Sequence, residues 1–148
     1  MDSMQKLIEL EELKNLKASY FYFLDTKDWT SWLDLFAPNA TLKWDSASSV
    51  NGRDGQTGPV YTGRDQIEKH IVRGLDPAQT LHQGHTPLLE LTSATTARGI
   101  WAMEDIVVRT DGSVHGFGHY RETYEKLHGQ WKITSLHLTR LRVTTTSR

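Results

Sequence analysis

Four long segments of strand-like sequence fill the second half of the chain, and very short connections separate them. The segments are TLHQGHTPLLELT, TARGIWAMEDIVV, HGFGHYRETYEKL and WKITSLHLTRLRV, with SAT, RTDGS and HGQ between them. Asp111-Gly112 and His128-Gly129 supply the residues that tight hairpin turns require. The pattern therefore predicts an antiparallel meander from about residue 80 onward.

The first half of the chain predicts helices instead. Leu13, Leu16 and Tyr20 recur at spacings of three and four, with charged residues on the other face, which predicts a helix over residues 5–27. A second, short helix is expected to begin at Asp28 or Thr30. Its large apolar residues at helical spacing are Trp29, Trp32, Leu33 and Phe36.

Three further segments complete the predicted fold. Residues 40–44 predict a strand, the polar and glycine-rich residues 45–59 predict a long loop, and residues 65–75 predict a third helix. Helices that precede an antiparallel meander indicate an α+β fold, with helices packed on one face of a mainly antiparallel sheet. Because strands of about a dozen residues exceed the usual five or six, the sheet is expected to bend strongly and to enclose a pocket, as a cone does. The length predicts one domain over residues 1–148.

The composition excludes several classes of function. The chain has no cysteine, which rules out disulfides, thiolate metal sites and cysteine nucleophiles. The formal net charge is -1 and the basic residues are scattered, so no surface suited to nucleic acid or to an anionic membrane is predicted. No apolar run approaches the roughly 20 residues that span a bilayer, and the amino terminus lacks the pattern of a signal peptide. We therefore expect a cytoplasmic protein whose partner is a small molecule.

Several segments together resemble one superfamily. LKASYFYFLDTKDWTSWLDLFAPNATL contains a helix, an acidic turn, a tryptophan and LFAPNAT, and it is followed by YTGRDQIEKHI, LHQGHTPLLELT, ARGIWAMED and YEKLHGQWKITSLHLTRLRV. Over nearly its whole length the chain resembles the SnoaL-like branch of the superfamily named after nuclear transport factor 2. The resemblance implies a cone-shaped fold. It is a weak indicator of any one activity, because a fold hosts many chemistries.

The resemblance also implies a set of site residues. Scytalone dehydratase, hexachlorocyclohexane dehydrochlorinase and bile-acid 7α-dehydratase have an acidic residue at the end of the first helix and a histidine at the start of the strand after the third helix. In these enzymes the two form an Asp–His dyad that removes a proton next to a leaving group. Asp25 and His82 match the two positions. Tyr20 matches a tyrosine five residues before the aspartate, and Arg140 matches an arginine near the end of the last strand.

Two other branches of the superfamily are matched less well. Steroid isomerases of this fold place a catalytic aspartate just after the first strand, where this chain has Trp44 and then Asp45, one position late. This departure disfavours a steroid isomerase. SnoaL-like polyketide cyclases use an acidic residue deeper in the cone, for which Glu104 or Asp105 could stand.

The Asp–His dyad also has a physical rationale. A neutral imidazole is a competent base only in the right tautomer and orientation, and a buried carboxylate that accepts the other ring N–H provides both. The alternative is that Asp25 caps the turn before Asp28 and that His82 is a partly exposed residue at a strand edge. Since side chains alternate along a strand, His85 is expected on the face opposite to His82, at the rim or on the surface.

Strand register gives a further pair of candidates. If RTDGS closes its hairpin symmetrically about residues 111 and 112, Glu104 and His119 face each other. They would then lie either in the pocket or as a charge pair on the outer face of the sheet.

Helix geometry leaves two tyrosines in competition. On an ideal helix Tyr20 and Asp25 are roughly 140° apart, so both reach one pocket only if the helix ends or loosens near Leu24. Tyr22 is the competitor, because three residues separate it from Asp25. The residues expected to contact the substrate are Trp44, Trp101, Glu104, Phe117 and Tyr22.

These patterns predict a cofactor-independent lyase of dehydratase type that acts on a small, hydrophobic, cyclic substrate. His82 is the expected base and Asp25 its orienting partner. Tyr20 and Arg140 are expected to polarise a carbonyl or to protonate a departing hydroxyl, with His119 as a reserve acid. The alternatives are double-bond isomerisation, cyclisation of a polyketide or terpenoid, and a module that binds a ligand or dimerises without catalysis.

Two expectations concern metals and assembly. The sequence has no HExxH motif, and His82 and His85 should point apart, so no metal site is expected. An open sheet face is compatible with a homodimer or a homotrimer.

Overall fold

The computed structural model describes residues 1–48 and 58–148. Its first element is helix α1 (Ser3–Thr26), which confirms the helix predicted over residues 5–27. The Asp2 side chain caps the start of α1 by accepting a hydrogen bond from the Gln5 N–H. The buried face of α1 includes Leu13, Leu16, Lys17, Tyr20 and Leu24.

Helix α2 (Trp29–Asp34) follows α1 after a short turn. The Asp28 side chain accepts a hydrogen bond from the Ser31 N–H and so caps α2. The helix is shorter than predicted, because Phe36 already belongs to strand β1 (Phe36–Ser48). Trp32 is the residue of α2 that is buried in the core.

The described residues contain seven strands, which form one mixed sheet. After β1 these are β2 (Tyr61–Thr62), β3 (Gln79–Gly84), β4 (Leu88–Leu91), β5 (Thr96–Arg109), β6 (Gly112–Leu127) and β7 (Gln130–Ser147). Their order is β2-β1-β7-β6-β5-β3, and β4 also pairs with β5. Neighbouring strands are antiparallel except β1 and β7, which are parallel. The α+β fold with a mainly antiparallel sheet is therefore confirmed, and the sheet is not closed.

The helix predicted over residues 65–75 is present with one irregularity. A π-helical turn at Glu68–Val72 joins helix α3 (Arg64–Ile67) to helix α4 (Arg73–Leu75). The apolar residues spaced four apart are all buried, so this face of the segment packs against the core. They are Ile67, Ile71 and Leu75.

Two strand predictions need correction. The segment predicted as one strand over residues 80–92 is divided between β3 and β4, since Pro87 has no N–H to donate to a continuous ladder. Strand β1 is longer than residues 40–44 and includes the first residues of the predicted loop. Residues 49–57 of that loop lie outside the described residues.

The register of the β5–β6 hairpin also differs from the prediction. Arg109 pairs with Gly112, so Thr110 and Asp111 form the turn and Gly112 is already a strand residue. As a result, His119 lies opposite Ala102, and Glu104 lies opposite Phe117. The prediction that Glu104 and His119 face each other is wrong, because it placed the centre of the turn one residue too late.

Irregularities interrupt the β6–β7 ladder of the sheet. The β6–β7 pairing shifts register between Phe117 and Gly118 and again between Thr123 and Tyr124. Such bulges kink a strand and increase its twist. The helices pack against the sheet, where Tyr20 contacts Tyr120 of β6 and Trp32 contacts Phe36 of β1. No helix in the described part of the chain combines the length and the apolar character needed to cross a membrane.

Candidate active site

A cavity of about 310 Å³ lies between the helices and the sheet. Most of its lining is apolar or aromatic, including Leu24, Trp32, Trp44 and Leu138. A wider groove of about 830 Å³ lies elsewhere, along β4 to β7 around Leu88. We place the candidate site in the smaller cavity, because polar side chains converge there within an apolar wall.

His82 of β3 and Asp25 of α1 are hydrogen-bonded at the edge of this cavity. His82 Nδ1 lies 2.7 Å from Asp25 Oδ1, and the backbone N–H of His82 donates to Asp25 Oδ2 at 2.7 Å. Because a carboxylate accepts and does not donate, Nδ1 carries a hydrogen, which in the neutral imidazole leaves the lone pair on Nε2. The His82 side chain is 6% exposed and lines the cavity. An imidazole of fixed tautomer and orientation therefore forms part of the cavity wall.

Residues behind the imidazole hold Asp25 in place. The Thr80 hydroxyl donates to Asp25 Oδ1 at 2.9 Å and accepts from Lys27 Nζ at 2.8 Å. Burial lowers the pKa of Lys27, while Asp25 acts in the opposite direction. Asp25 does not line the cavity but contacts His82, which does. Tyr20 and Asp25 can therefore belong to one site even though α1 remains helical to Thr26.

Tyr20 of α1 and Tyr120 of β6 both line the cavity. Their ring centroids are 5.8 Å apart in an edge-to-face arrangement. Burial, reinforced by the charges of Glu122 and Asp105, raises the pKa of the Tyr20 hydroxyl well above its ordinary value, while a hydrogen bond with Tyr120 acts in the opposite direction. Burial likewise raises the pKa of Tyr120. Both phenols therefore keep their protons at neutral pH, and the hydrogen-bonded pair can donate to a ligand oxygen.

Arg140 of β7 and Asp105 of β5 form a buried ion pair in the cavity wall. Arg140 Nη1 lies 2.5 Å from Asp105 Oδ1, and Nη2 lies 2.9 Å from Oδ2. The pair crosses β6 at Gly116, where a Cβ atom would overlap both side chains. Arg140 is thus already engaged by a carboxylate, so it is not a free cationic anchor for the substrate.

Asp45 of β1 gives the cavity a further carboxylate. It is 4% exposed and lines the cavity, and its Oδ1 lies 3.0 Å from His137 Nε2. His137 lines the wider groove as well. The Asp45–His137 pair therefore bridges the cavity and the groove.

A family model for the SnoaL-like domain matches residues 5–137 of the chain. The chain belongs to the SnoaL-like family. This confirms the resemblance seen in the sequence.

Solved structures similar to this SnoaL-like protein share its fold. A scytalone dehydratase-like protein from Novosphingobium aromaticivorans has a TM-score of 0.82 and 21% identity, over 99% of this chain and 93% of that one. A LinA-type3 hexachlorocyclohexane dehydrochlorinase from Novosphingobium barchaimii has a TM-score of 0.74 and 18% identity, over 98% and 94%. A nuclear transport factor 2-like protein with a cystatin-like fold from N. aromaticivorans has a TM-score of 0.72 and 15% identity, over 93% and 85%. The cone-type fold is therefore shared with all three.

Four predicted site residues of this SnoaL-like protein line the cavity, namely His82, Tyr20, Arg140 and Trp44. Asp25 reaches the site through its hydrogen bond to His82. Five others do not line the cavity, which therefore does not support the substrate contacts predicted for four of them or the acid role predicted for His119. They are His119, Trp101, Glu104, Phe117 and Tyr22.

Alternation along β5 and β6 explains three of these positions, whereas Trp101 shares the face of Asp105 but lies nearer the start of β5. Trp101 is buried, but its Nε1 donates to the Tyr124 hydroxyl at 2.9 Å within the core. Glu104 and Phe117 lie on the other face of the sheet, where both contact His115. His119 shares that face, because it is two residues from Phe117.

The fifth residue lies on the first helix. Tyr22 is 67% exposed and lies beside a shallow surface depression that also contains Asp25 and His85. Tyr20 lies on the buried face of the same helix and lines the cavity. The competition between the two tyrosines therefore favours Tyr20.

Tyr120 was not predicted from the sequence, although a signal for it exists. Gly116, Gly118 and Tyr120 alternate along β6 and so share one face of the strand. Glycines on a strand face mark places where other groups approach the backbone closely, as Asp105 and Arg140 do at Gly116 beside Tyr120. Within residues 1–48 and 58–148, no three histidine or carboxylate side chains converge as metal ligands would.

Proposed function

We propose that this SnoaL-like protein is a lyase of dehydratase type, in which His82 removes a proton and Asp25 orients it. The main support for this proposal is the 2.7 Å contact between His82 Nδ1 and Asp25 Oδ1 at the wall of an apolar cavity. A base in such a setting is ready to act without a metal or an organic cofactor. The similar structures include a dehydratase-like and a dehydrochlorinase protein, which supports an elimination.

The reaction would begin at His82 Nε2. This nitrogen takes a proton from the carbon next to the one that bears a hydroxyl group. The electron pair of the broken C–H bond forms a C=C bond, and the C–O bond breaks. The hydroxyl leaves as water after it receives a proton, either directly back from the imidazolium or from a tyrosine hydroxyl that the imidazolium then reprotonates. Asp25 stabilises the imidazolium during this step.

The two buried tyrosines would assist at the oxygen of an adjacent carbonyl. Proton removal next to a carbonyl places negative charge on that oxygen, and donors that are fixed in advance stabilise it. Tyr20 and Tyr120 suit this role, because burial keeps both hydroxyls protonated. Arg140 would act indirectly, since its guanidinium is engaged by Asp105.

The cavity favours a small and neutral substrate. Its volume of about 310 Å³ lies at the lower end of the range for small-molecule sites, which suits a compound of one or two rings. The Asp105–Arg140 pair contributes no net charge, and the other charged side chains of the lining are one carboxylate, Asp45, and one guanidinium, Arg109. A neutral, hydrophobic hydroxyketone fits this combination of shape and charge.

Two other functions start from the same cavity. An isomerase or a cyclase would use the same proton abstraction and differ only in the fate of the enolate that it produces. A ligand-binding module without catalysis would need the apolar cavity alone. The Asp25–His82 contact favours an enzyme over the binding module, because ligand binding requires no preoriented base.

The test is incubation of the protein in D₂O with a panel of one-ring and two-ring β-hydroxyketones, and mass spectrometry of the products. A dehydratase yields products that have lost water, and His82→Ala abolishes them. Deuterium uptake without water loss would indicate an isomerase. Ligand binding without either reaction would contradict the lyase function and favour a ligand-binding module.

A further inference from the structure

Lys17 is a charged residue in the core. It does not line the cavity but contacts Tyr20 and Tyr120, which do. The side chain is completely buried, and its ammonium forms an ion pair with Glu122. The Tyr124 hydroxyl donates to the other carboxylate oxygen of Glu122 and accepts from Trp101 Nε1. The carboxylate therefore has a partner on each oxygen, and the whole network is enclosed by protein.

The ammonium of Lys17 also contacts both tyrosines of the candidate site. Lys17 Nζ lies 3.7 Å from the ring centroid of Tyr20 and 3.7 Å from that of Tyr120. These distances are well within the roughly 6 Å at which a cation and an aromatic face attract each other. One positive charge thus joins the two phenols that line the cavity.

Stability alone is a weak explanation for this arrangement. A buried ion pair is often no more stabilising than apolar residues of similar volume, because both charges lose their hydration. Burial lowers the pKa of Lys17 to about 8, although Glu122 acts to raise it. Most of the ammonium is retained at neutral pH, in contact with the rings of Tyr20 and Tyr120.

We propose that Lys17 is a positioning residue, whose ammonium holds Tyr20 and Tyr120 and strengthens their hydrogen bonds to an anionic oxygen in the cavity. A cation at the face of a phenol withdraws electron density from the ring and makes the hydroxyl a better donor. The identity of that oxygen as the enolate of a substrate rests on the proposed function. The interaction with the tyrosines does not.

The first experiment removes the ammonium without leaving an unpaired charge. In Lys17→Met/Glu122→Gln both partners become neutral, while Tyr124→Phe is the control that keeps the Lys17–Glu122 pair. The probe is a series of substituted 2-naphthols, whose absorbance distinguishes bound naphtholate from bound naphthol. We expect the double variant to lose about tenfold in its preference for naphtholate and to keep its affinity for the neutral form. The control should keep the preference.

The results of this experiment distinguish a failure of the positioning role of Lys17 from a failure of the lyase function. A folded double variant with an unchanged preference, or a parent protein that shows none, would overturn the role of Lys17. If the preference falls but no substrate is turned over, the lyase fails and the positioning role stands. If turnover depends on His82 but Lys17→Met/Glu122→Gln changes neither kcat nor the preference, the lyase stands and the positioning role fails.

A second measurement needs no substitution and applies even if the double variant does not fold. The Nζ resonance of Lys17 can be followed by ¹⁵N NMR as a function of pH, with and without bound naphtholate. Because coupling between two bound species is reciprocal, an anion that Lys17 helps to bind must raise the pKa of Lys17. We expect a rise on binding; an unchanged titration would overturn the proposal.

Discussion

His82 and Asp105 lie directly opposite each other in the antiparallel β3–β5 pair, yet the carboxylate that contacts the imidazole is that of Asp25. Asp105 instead binds Arg140 through two hydrogen bonds. The two carboxylates next to His82 thus have separate partners. Asp25 orients the imidazole, and the charge of Asp105 is balanced by a guanidinium from β7.

Loss of the Arg140 guanidinium should destabilise the fold strongly. Arg140→Ala leaves the Asp105 carboxylate buried without its counter-charge, which costs about 3–5 kcal/mol in the free energy of unfolding. Chemical denaturation measures this, with Arg142→Ala as the matched control, because Arg142 is exposed on the same strand. Asp105→Leu/Arg140→Met should recover most of the loss. Equal stabilities for the two arginine variants would contradict the importance of the ion pair.

The two tyrosines of α1 should differ in their effect on turnover. Tyr20→Phe removes a donor hydroxyl and keeps the volume of the ring, so we expect kcat to fall about 10²-fold with little change in the melting temperature. Tyr22→Phe is the control, since Tyr22 is exposed and does not line the cavity. Steady-state kinetics and thermal unfolding of both variants make the comparison. If Tyr22→Phe lowered kcat while Tyr20→Phe remained fully active, the catalytic tyrosine would be Tyr22 and not Tyr20.

Alkaline pH should unfold the protein steeply. Burial raises the pKa of Tyr20, Tyr120 and Tyr124 in the folded state, whereas an unfolded tyrosine titrates near pH 10. Above pH 10 the folded state therefore binds more protons than the unfolded state, and stability falls by roughly 4 kcal/mol per pH unit for three tyrosines. Lys17 acts in the opposite sense between about pH 8 and 10.5, because its folded pKa is lowered and the unfolded state keeps its proton longer.

Denaturation curves at a series of pH values, with tyrosinate absorbance as a second probe, test this pH dependence. The three buried tyrosines should ionise only as the protein unfolds. Their ionisation near pH 10 in a protein that remains folded would contradict the enclosure of Tyr20 and Tyr120.

Much of the fold could be predicted from local sequence. The heptad-like spacing of Leu13, Leu16 and Tyr20 defined α1, and the short connections defined an antiparallel meander. The parallel pairing of β1 with β7 was not predicted, because strands far apart in sequence carry no local signal of their register.

The site was predictable only in part for a related reason. Resemblance to a family pointed to Asp25 and His82, which the structure brings into contact. Glu104 and His119 were misplaced because a shift of the turn changes every pairing beyond it. The engagement of Arg140 by Asp105 depends on Gly116 of the strand between them, and alternation along one strand does not reveal such a contact.

In the proposed function His82 and Asp25 act as one unit, and a double-mutant cycle on turnover measures the coupling between them. His82→Ala removes the base and should abolish nearly all turnover. Asp25→Asn keeps the shape of the side chain but removes the anionic acceptor, which costs about 10⁴-fold where an aspartate has this role in a serine protease. The double variant should be about as slow as His82→Ala alone, because residues that act as a unit are not additive.

His85→Ala is the matched control for the cycle, since His85 is exposed three residues further along the chain. The dyad predicts that this variant keeps turnover within a small factor of the parent protein, while all variants retain the fold by circular dichroism. The contradicting result is a His82→Ala variant that remains active, or losses from His82→Ala and Asp25→Asn that multiply in the double variant.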